Sequence, residues 1–295
     1  MKIWYERLNE VPSEKNTVME FLEERNFTWK ILSQPCYQKV GDEYKIIPNH
    51  QISVRDDDFQ PIAVTKNRYK LLSNDKCFEI ANEFKRIYPF SKFVSCGDIM
   101  NNKESYLSMF LNEELICDDE FGVWLTISNG FDGRNAINAT VTLVRNKDNS
   151  VFQFFEKNIP RVWTLGRMDM NRYFDRVCEG IDGYVAYAKD LCRKMNEIKI
   201  SLNEVMNKLF DDINWKNNKR FNRNLAMIKE CVREIYLDNE GDTEYDLFFA
   251  LSNYYCNGKR IRCDKLEDDK RFQLAMIKYF YDLYKYHVKM FDVLN

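Results

Sequence analysis

From Phe121 to Phe155 the chain alternates apolar and polar residues with a period of two, a pattern that commits it to half-buried sheet. Phe121, Val123, Leu125 and Ile127 alternate with Gly122, Trp124, Thr126 and Ser128, and Ile137, Ala139, Val141 and Leu143 alternate with Asn138, Thr140, Thr142 and Val144. Successive strand side chains point to opposite faces, so each run is expected to bury one face. Between the runs, Ser128 to Asn135 supplies two glycines for positive φ and Asn and Asp side chains able to bond the backbone. The segment therefore reads as three antiparallel strands joined by two polar turns. Asn129, Phe131, Asp132 and Arg134 of the first turn are the candidate partner contact, because loops held on a rigid sheet commonly recognise.

The sequence before this meander mixes short helices and strands. Thr17-Val18-Met19-Glu20 has capping-box spacing and opens a helix through about Arg25. Extended segments follow near 28–37, 44–54 and 62–72, with Gly41-Asp42 and Arg55-Asp56-Asp57-Asp58 as turns. Ser73-Asn74-Asp75 opens a helix to about Tyr88, which Pro89 ends. Strands resume at 92–95 and 106–115.

After Pro160 the period changes from two to 3.6. Phe174, Val177, Ile181, Tyr184, Ala188, Leu191, Met195 and Ile198 form the stripe of a long amphipathic helix, with Gly180 and Gly183 marking a kink. Further helices are expected at about 201–213, 221–235, 245–255 and 265–294. The fold class is thus α+β: an N-terminal antiparallel β-sheet domain with few helices over 1–163, then a C-terminal helical domain over 164–295. Tyr281, Tyr284, Tyr286 and Phe291 give the last helix more apolar surface than one stripe needs. They are the candidates for self-association into a homo-oligomer, the alternative being the central helix of a small bundle.

Composition narrows the function. Lys and Arg number 44 against 46 Asp and Glu, a net charge of -2, so the chain lacks the global basic field of a dedicated nucleic-acid binder. It also lacks an apolar run of the roughly 20 residues that span a bilayer. The N-terminal stretch MKIWYERLNEVPSEK has no apolar signal core. Nine singly scattered cysteines suit reduced thiols in a cytoplasm, although Cys256 and Cys263 flank one loop and a bridge between them is left open. Abundant Lys, Asn, Ile, Tyr and Phe are the usage of an AT-rich genome, as in a low-GC bacterium or its phage.

Catalytic constellations are scarce. His50 and His287 are the only histidines, and each reads as a solvated or core residue rather than a base. There is no CxxC pair, no GxxxxGK[ST] loop and no GxGxxG turn. The runs Asp56-Asp57-Asp58 and Asp118-Asp119-Glu120 could converge on Mg²⁺, but consecutive acids more often make a solvated turn. The expectation is a protein that is no enzyme, with no cofactor and no metal. A competing reading is a replication or recombination accessory of a mobile element that binds single-stranded DNA. For it, Trp215, Lys216, Lys219, Arg220 and Arg223 would combine phosphate neutralisation with stacking.

Two blocks resemble a known group. Val54-Arg55-Asp56-Asp57 followed by Asn67-Arg68-Tyr69-Lys70-Leu71-Leu72-Ser73-Asn74 is similar to the N-terminal block of a phage- and plasmid-encoded protein family of unknown function. Ser128-Asn129, Asp132-Gly133 and Val144-Arg145 resemble its second block, while Asn146-Lys147-Asp148 stands where the group has a Cys-Asn-Thr tract. The likeness spans about 28–200. In size, composition and aromatic-rich helical C-terminal half the whole chain also looks like the phage inhibitors of the Gabija defence system. That resemblance implies a non-enzymatic host-cytoplasmic inhibitor. Such a protein self-associates around the Gabija nuclease–helicase complex and blocks DNA binding and cleavage.

Overall fold

The computed structural model describes residues 10–99, 103–133, 137–152, 161–162, 170–199, 233 and 242–257. Helix α1 (Val18–Glu24) begins at the capping box read from the sequence. The Thr17 hydroxyl accepts from the Glu20 N–H at 3.3 Å, and the Glu20 carboxylate accepts from the Thr17 N–H at 3.1 Å. Hydrogen bonds from Thr17, the main-chain one foremost, hold the Glu20 carboxyl below the usual carboxylate range. The helix buries Val18, Phe21 and Leu22, with the Phe21 ring stacked 5.3 Å from Phe93.

Three strands follow, β1 (Ile31–Val40), β2 (Glu43–Arg55) and β3 (Pro61–Lys66), as an antiparallel sheet in the order β1-β2-β3. Gly41 takes φ +62° at the first position of the two-residue β1–β2 turn, the role glycine has in a type II′ hairpin. Helices α2 (Asn74–Phe78) and α3 (Ile80–Ile87) come next, separated only at Glu79, which keeps helical dihedrals. Pro89 lies just past their end.

The second sheet contains β4 (Lys92–Ile99), β5 (Glu104–Ile116), β6 (Asp119–Gly130), β7 (Ile137–Arg145) and β8 (Val151–Phe152) in that order, with β9 (Arg161–Val162) against β7. Every pairing in both sheets is antiparallel. Cys117 and Asp118 both adopt positive φ in the β5–β6 turn, the backbone of a type I′ hairpin built without glycine.

This sheet departs from the expected one-sided burial. Phe121, Val123, Leu125 and Ile127 are buried on one face, but Gly122, Ser128, Thr142 and Val144 are buried on the other. Hydroxyls can go inside when they bond one another, as the Ser108 and Thr126 hydroxyls do at 2.8 Å.

Helix α4 (Met170–Glu197) keeps the expected stripe, burying Tyr173, Val177, Ile181, Tyr184, Ala188, Leu191 and Met195 at spacings of three and four. It runs unbroken through Gly180 and Gly183. The Phe174 ring lies 4.8 Å from Phe84, and the Tyr184 hydroxyl donates to the Phe152 carbonyl at 2.8 Å.

Contacts divide the chain into two compact units, 1–192 and 193–295, whereas the sequence reading places its boundary at 163. In the second, helix α5 (Glu244–Asn257) follows a cap in which the Thr243 hydroxyl accepts from the Asp246 N–H at 3.3 Å. Tyr245, Leu247, Phe248 and Phe249 of α5 are buried. The helices expected at 201–213, 221–235 (apart from Arg233) and 265–294 lie outside the described residues. The described fold is α+β.

Candidate functional site

Residues marked in two distant blocks of the sequence meet in one polar network. The Arg55 guanidinium sits 4.7 Å from the centre of the Trp29 ring and pairs with Asp57 at 2.5 Å and with Asp98 at 3.3 Å. Asp98 accepts from the Ser105 hydroxyl at 2.7 Å, and that oxygen accepts from the Asn74 amide at 3.3 Å. Asn74 accepts in turn from Asn129 Nδ2 at 3.2 Å, and Asn129 also donates to the Leu72 carbonyl at 2.9 Å. The Tyr69 hydroxyl closes the neighbouring link by donating to the Gly130 carbonyl at 2.9 Å.

The electrostatics follow the burial. Desolvation raises the Asp98 carboxyl above its ordinary range, against the pull of Ser105 and Arg55. The hydrogen bond from Arg55 lowers the exposed Asp57 carboxyl, and the same pairing raises the Arg55 guanidinium. Chemically this is a clasp that ties β2 and the segment before α2 to β4, β5 and β6.

That geometry corrects the expectation of an open recognition turn. Strand β6 continues through Ser128, Asn129 and Gly130, which pair with Tyr106, Ser105 and Glu104. Asn129 and Phe131 are both 0 % exposed. Phe131 packs edge-on 5.5 Å from Trp29 and donates its N–H to the Lys103 carbonyl at 2.9 Å. Asp132 is half-buried, and its charge helps raise the Glu104 carboxyl, for which burial is the larger cause. Arg134 lies outside the described residues. Asn129 and Phe131 are inside because the ladder outlasts the turn-forming composition, and buried neighbours take up the Asn129 amide hydrogens.

Arg145 organises a second polar centre. Its side chain, 2 % exposed, reaches Asp119 at 3.2 Å and binds both Asp148 oxygens. Burial pushes the Asp148 carboxyl up, but the hydrogen bonds from Arg145 and Ser150 outweigh it and hold the group below its usual range. Asp119 of the acidic run 118–120 is thus an ion-pair partner, and Asp57 and Asp58 of the run 56–58 face Arg55. Among the described residues no three His, Cys, Asp or Glu side chains gather as metal ligands.

The His50 ring lies 2.9 Å from the Pro48 carbonyl. Burial raises the Cys77 and Cys192 thiols, which disfavours their thiolates. A cleft of about 330 Å³ between β5 and α4 is lined by Tyr88, Asn112, Glu114, Ile181, Asp182 and Lys189, among others. Lys189 and Asn112 occupy Glu114 at 2.6 and 3.1 Å. Burial, with Asp182 and Glu114 nearby, pushes the Tyr88 phenol up to about 12, so it stays protonated at neutral pH.

The small sheet buries Ser53, Val54, Ile62 and Thr65 but leaves many of its apolar side chains exposed. Of the twelve large apolar side chains exposed among the described residues, Leu32, Tyr37, Val40, Tyr44, Ile46 and Val64 lie in β1–β3 and Phe59 in the β2–β3 loop. That concentration is the kind of surface that marks an interaction site. The sequence reading found the hairpin but not its exposure, since strand-forming residues do not record whether a second layer covers them.

The self-association candidates Tyr281, Tyr284, Tyr286 and Phe291 lie outside the described residues. So do Trp215, Lys216, Lys219, Arg220 and Arg223, together with His287 and the Cys256–Cys263 pairing. No helix among the described residues is long and apolar enough to cross a membrane. No family model, curated protein or solved structure matches the chain.

Proposed function

We propose that this chain is a non-catalytic, phage-encoded binding protein that acts in the host cytoplasm by covering a defence nuclease–helicase complex of the Gabija type. The observation that supports a protein partner is the exposed apolar surface of β1–β3. Residues 31–66 hold four Lys or Arg (39, 45, 55, 66) and five Asp or Glu (42, 43, 56, 57, 58), a net of -1. Such a surface cannot neutralise phosphates, and its apolar side chains suit a protein interface. The resemblance to anti-Gabija proteins supplies the target. Self-association through the helical C-terminal half, with Tyr281, Tyr284, Tyr286 and Phe291 as contacts, belongs to the same proposal.

The test mixes purified full-length protein with a reconstituted Gabija complex. Co-elution on gel filtration and stoichiometric loss of DNA cleavage are expected. Light scattering of the inhibitor alone should give a homo-oligomer. Cleavage that proceeds unchanged, without co-elution at micromolar concentrations, overturns the proposal. Salt-dependent binding of a single-stranded oligonucleotide by the inhibitor alone would favour the DNA-binding reading instead.

A further inference from the structure

Strand β3 accompanies β2 only as far as His50, which pairs with Lys66, so the hairpin beyond that point continues as a two-stranded ribbon. Every residue from Tyr37 to Ile46 is exposed. The cross-strand pairs Tyr37–Ile46 and Lys39–Tyr44 occupy one face, and Gln38–Lys45 and Val40–Glu43 occupy the other. The faces are therefore unequal. The first shows Tyr37, Ile46 and Tyr44 at 53 %, 58 % and 71 % exposure with a single charge, Lys39. The second holds its own ion pair, Lys45 with Glu43 at 3.6 Å.

The edges are poor sites for strand addition. Pro35 in β1 and Pro48 in β2 each remove a main-chain donor. The register breaks between Pro35 and Tyr37, and Asn49 adopts φ +58°. Prolines and bulges of this kind blunt an edge against pairing with another strand. What is left for recognition is the apolar face.

Charge and area choose the occupant. The tip 37–46 balances Lys39 and Lys45 against Asp42 and Glu43, so it offers nucleic acid no net attraction. Tyr37, Tyr44 and Ile46 together expose roughly 350 Å². Two copies stacked face to face would fall well short of the roughly 800 Å² per partner typical of a stable interface. A narrow two-stranded ribbon reaches such an area when it enters a groove that also covers its second face.

We infer that the β1–β2 ribbon is an insertion arm that seats in an apolar groove of a folded partner protein. Tyr37, Tyr44 and Ile46 are the anchors, and Lys39 meets a carboxylate on the groove wall. This deepens the proposed function and rests on it, naming the element by which the inhibitor grips its target.

The experiment uses full-length protein and the reconstituted Gabija complex as probe. Binding is measured for wild type, for the triple variant Tyr37→Ser/Tyr44→Ser/Ile46→Ser, and for Lys39→Glu. The triple variant should keep the wild-type circular dichroism and melting curve while binding weakens about 30-fold or more. Lys39→Glu should weaken binding less, with the loss fading at high salt. Wild-type affinity in the triple variant overturns the arm alone. No binding by wild type overturns the proposed function and the arm with it. Dissociation of the homo-oligomer in the triple variant would make a second copy the occupant and also overturn the inference.

Discussion

The two sheets of this protein put apolar strand side chains to opposite ends. In β4–β7 residues such as Leu125, Ile127 and Val141 disappear into a core, and even the hydroxyls of Ser108 and Thr142 are buried. In the β1–β2 ribbon, Tyr37, Tyr44 and Ile46 stand in solvent. Alternation therefore specifies strand and face, while burial depends on what packs against the face. The polar centres differ in the same way. Arg145 is enclosed between Asp119 and Asp148, whereas Arg55 keeps the exposed Asp57 on one side and the half-buried Asp98 on the other.

The largest break in this comparison is expected at Arg145. Arg145→Met strands the half-buried Asp119 and Asp148 without their cation and should destabilise the protein by up to about 3–5 kcal/mol. The shift of the urea midpoint measures it. A loss under 1 kcal/mol would mean that the enclosed centre is no more demanding than a surface pair.

Next in size is the clasp. Asn129→Leu leaves the Leu72 carbonyl and the Asn74 side-chain oxygen without their donor and should cost about 1–3 kcal/mol. A neutral outcome would show that the network merely fills space.

How far the sequence could be read follows from where each partner lies. The α1 cap was legible because Thr17 and Glu20 are three residues apart, and the α4 stripe because helical neighbours are three or four apart. The buried role of Asn129 was not. Its acceptors, Leu72 and Asn74, are 57 and 55 positions away, and a local Ser-Asn-Gly composition carries the chemistry of a turn. Arg55, Tyr69, Asn74 and Asn129 all join the clasp or border it, although they lie far apart in the sequence. Exposure of the ribbon was illegible for the converse reason: no local signal records that a partner layer is missing.

Acid sharpens the contrast between the two centres, because their carboxyls shift in opposite directions. The folded-state pKa of Asp148 is depressed, so its stabilising contribution is complete above the unfolded value of about 3.9 and is lost as pH falls through the folded value. The folded-state pKa of Asp98 is raised, so stability should rise as pH falls from that value towards about 3.9. Urea midpoints followed across this range should lose the low-pH decline in Asp148→Asn and the gain above it in Asp98→Asn. The same profile in both variants would remove the distinction.

The smallest effect is expected in the ribbon, and it is the most discriminating because chemistry can be held constant. Ile46 and Ile127 are the same side chain in antiparallel strands, one 58 % exposed and one 1 % exposed. Truncating Ile127 to Ala opens a cavity and removes buried methyl groups, at about 2–5 kcal/mol. Truncating Ile46 to Ala removes a group already in water and should stay within about 0.5 kcal/mol. The pair of urea midpoints reads out this difference directly. If Ile46→Ala costs as much as Ile127→Ala, the ribbon is packed against something in the free protein, and its apolar face is not available to a partner. If it costs nothing, folding does not require an apolar residue at that position, and selection for binding becomes the simpler physical reason for its presence.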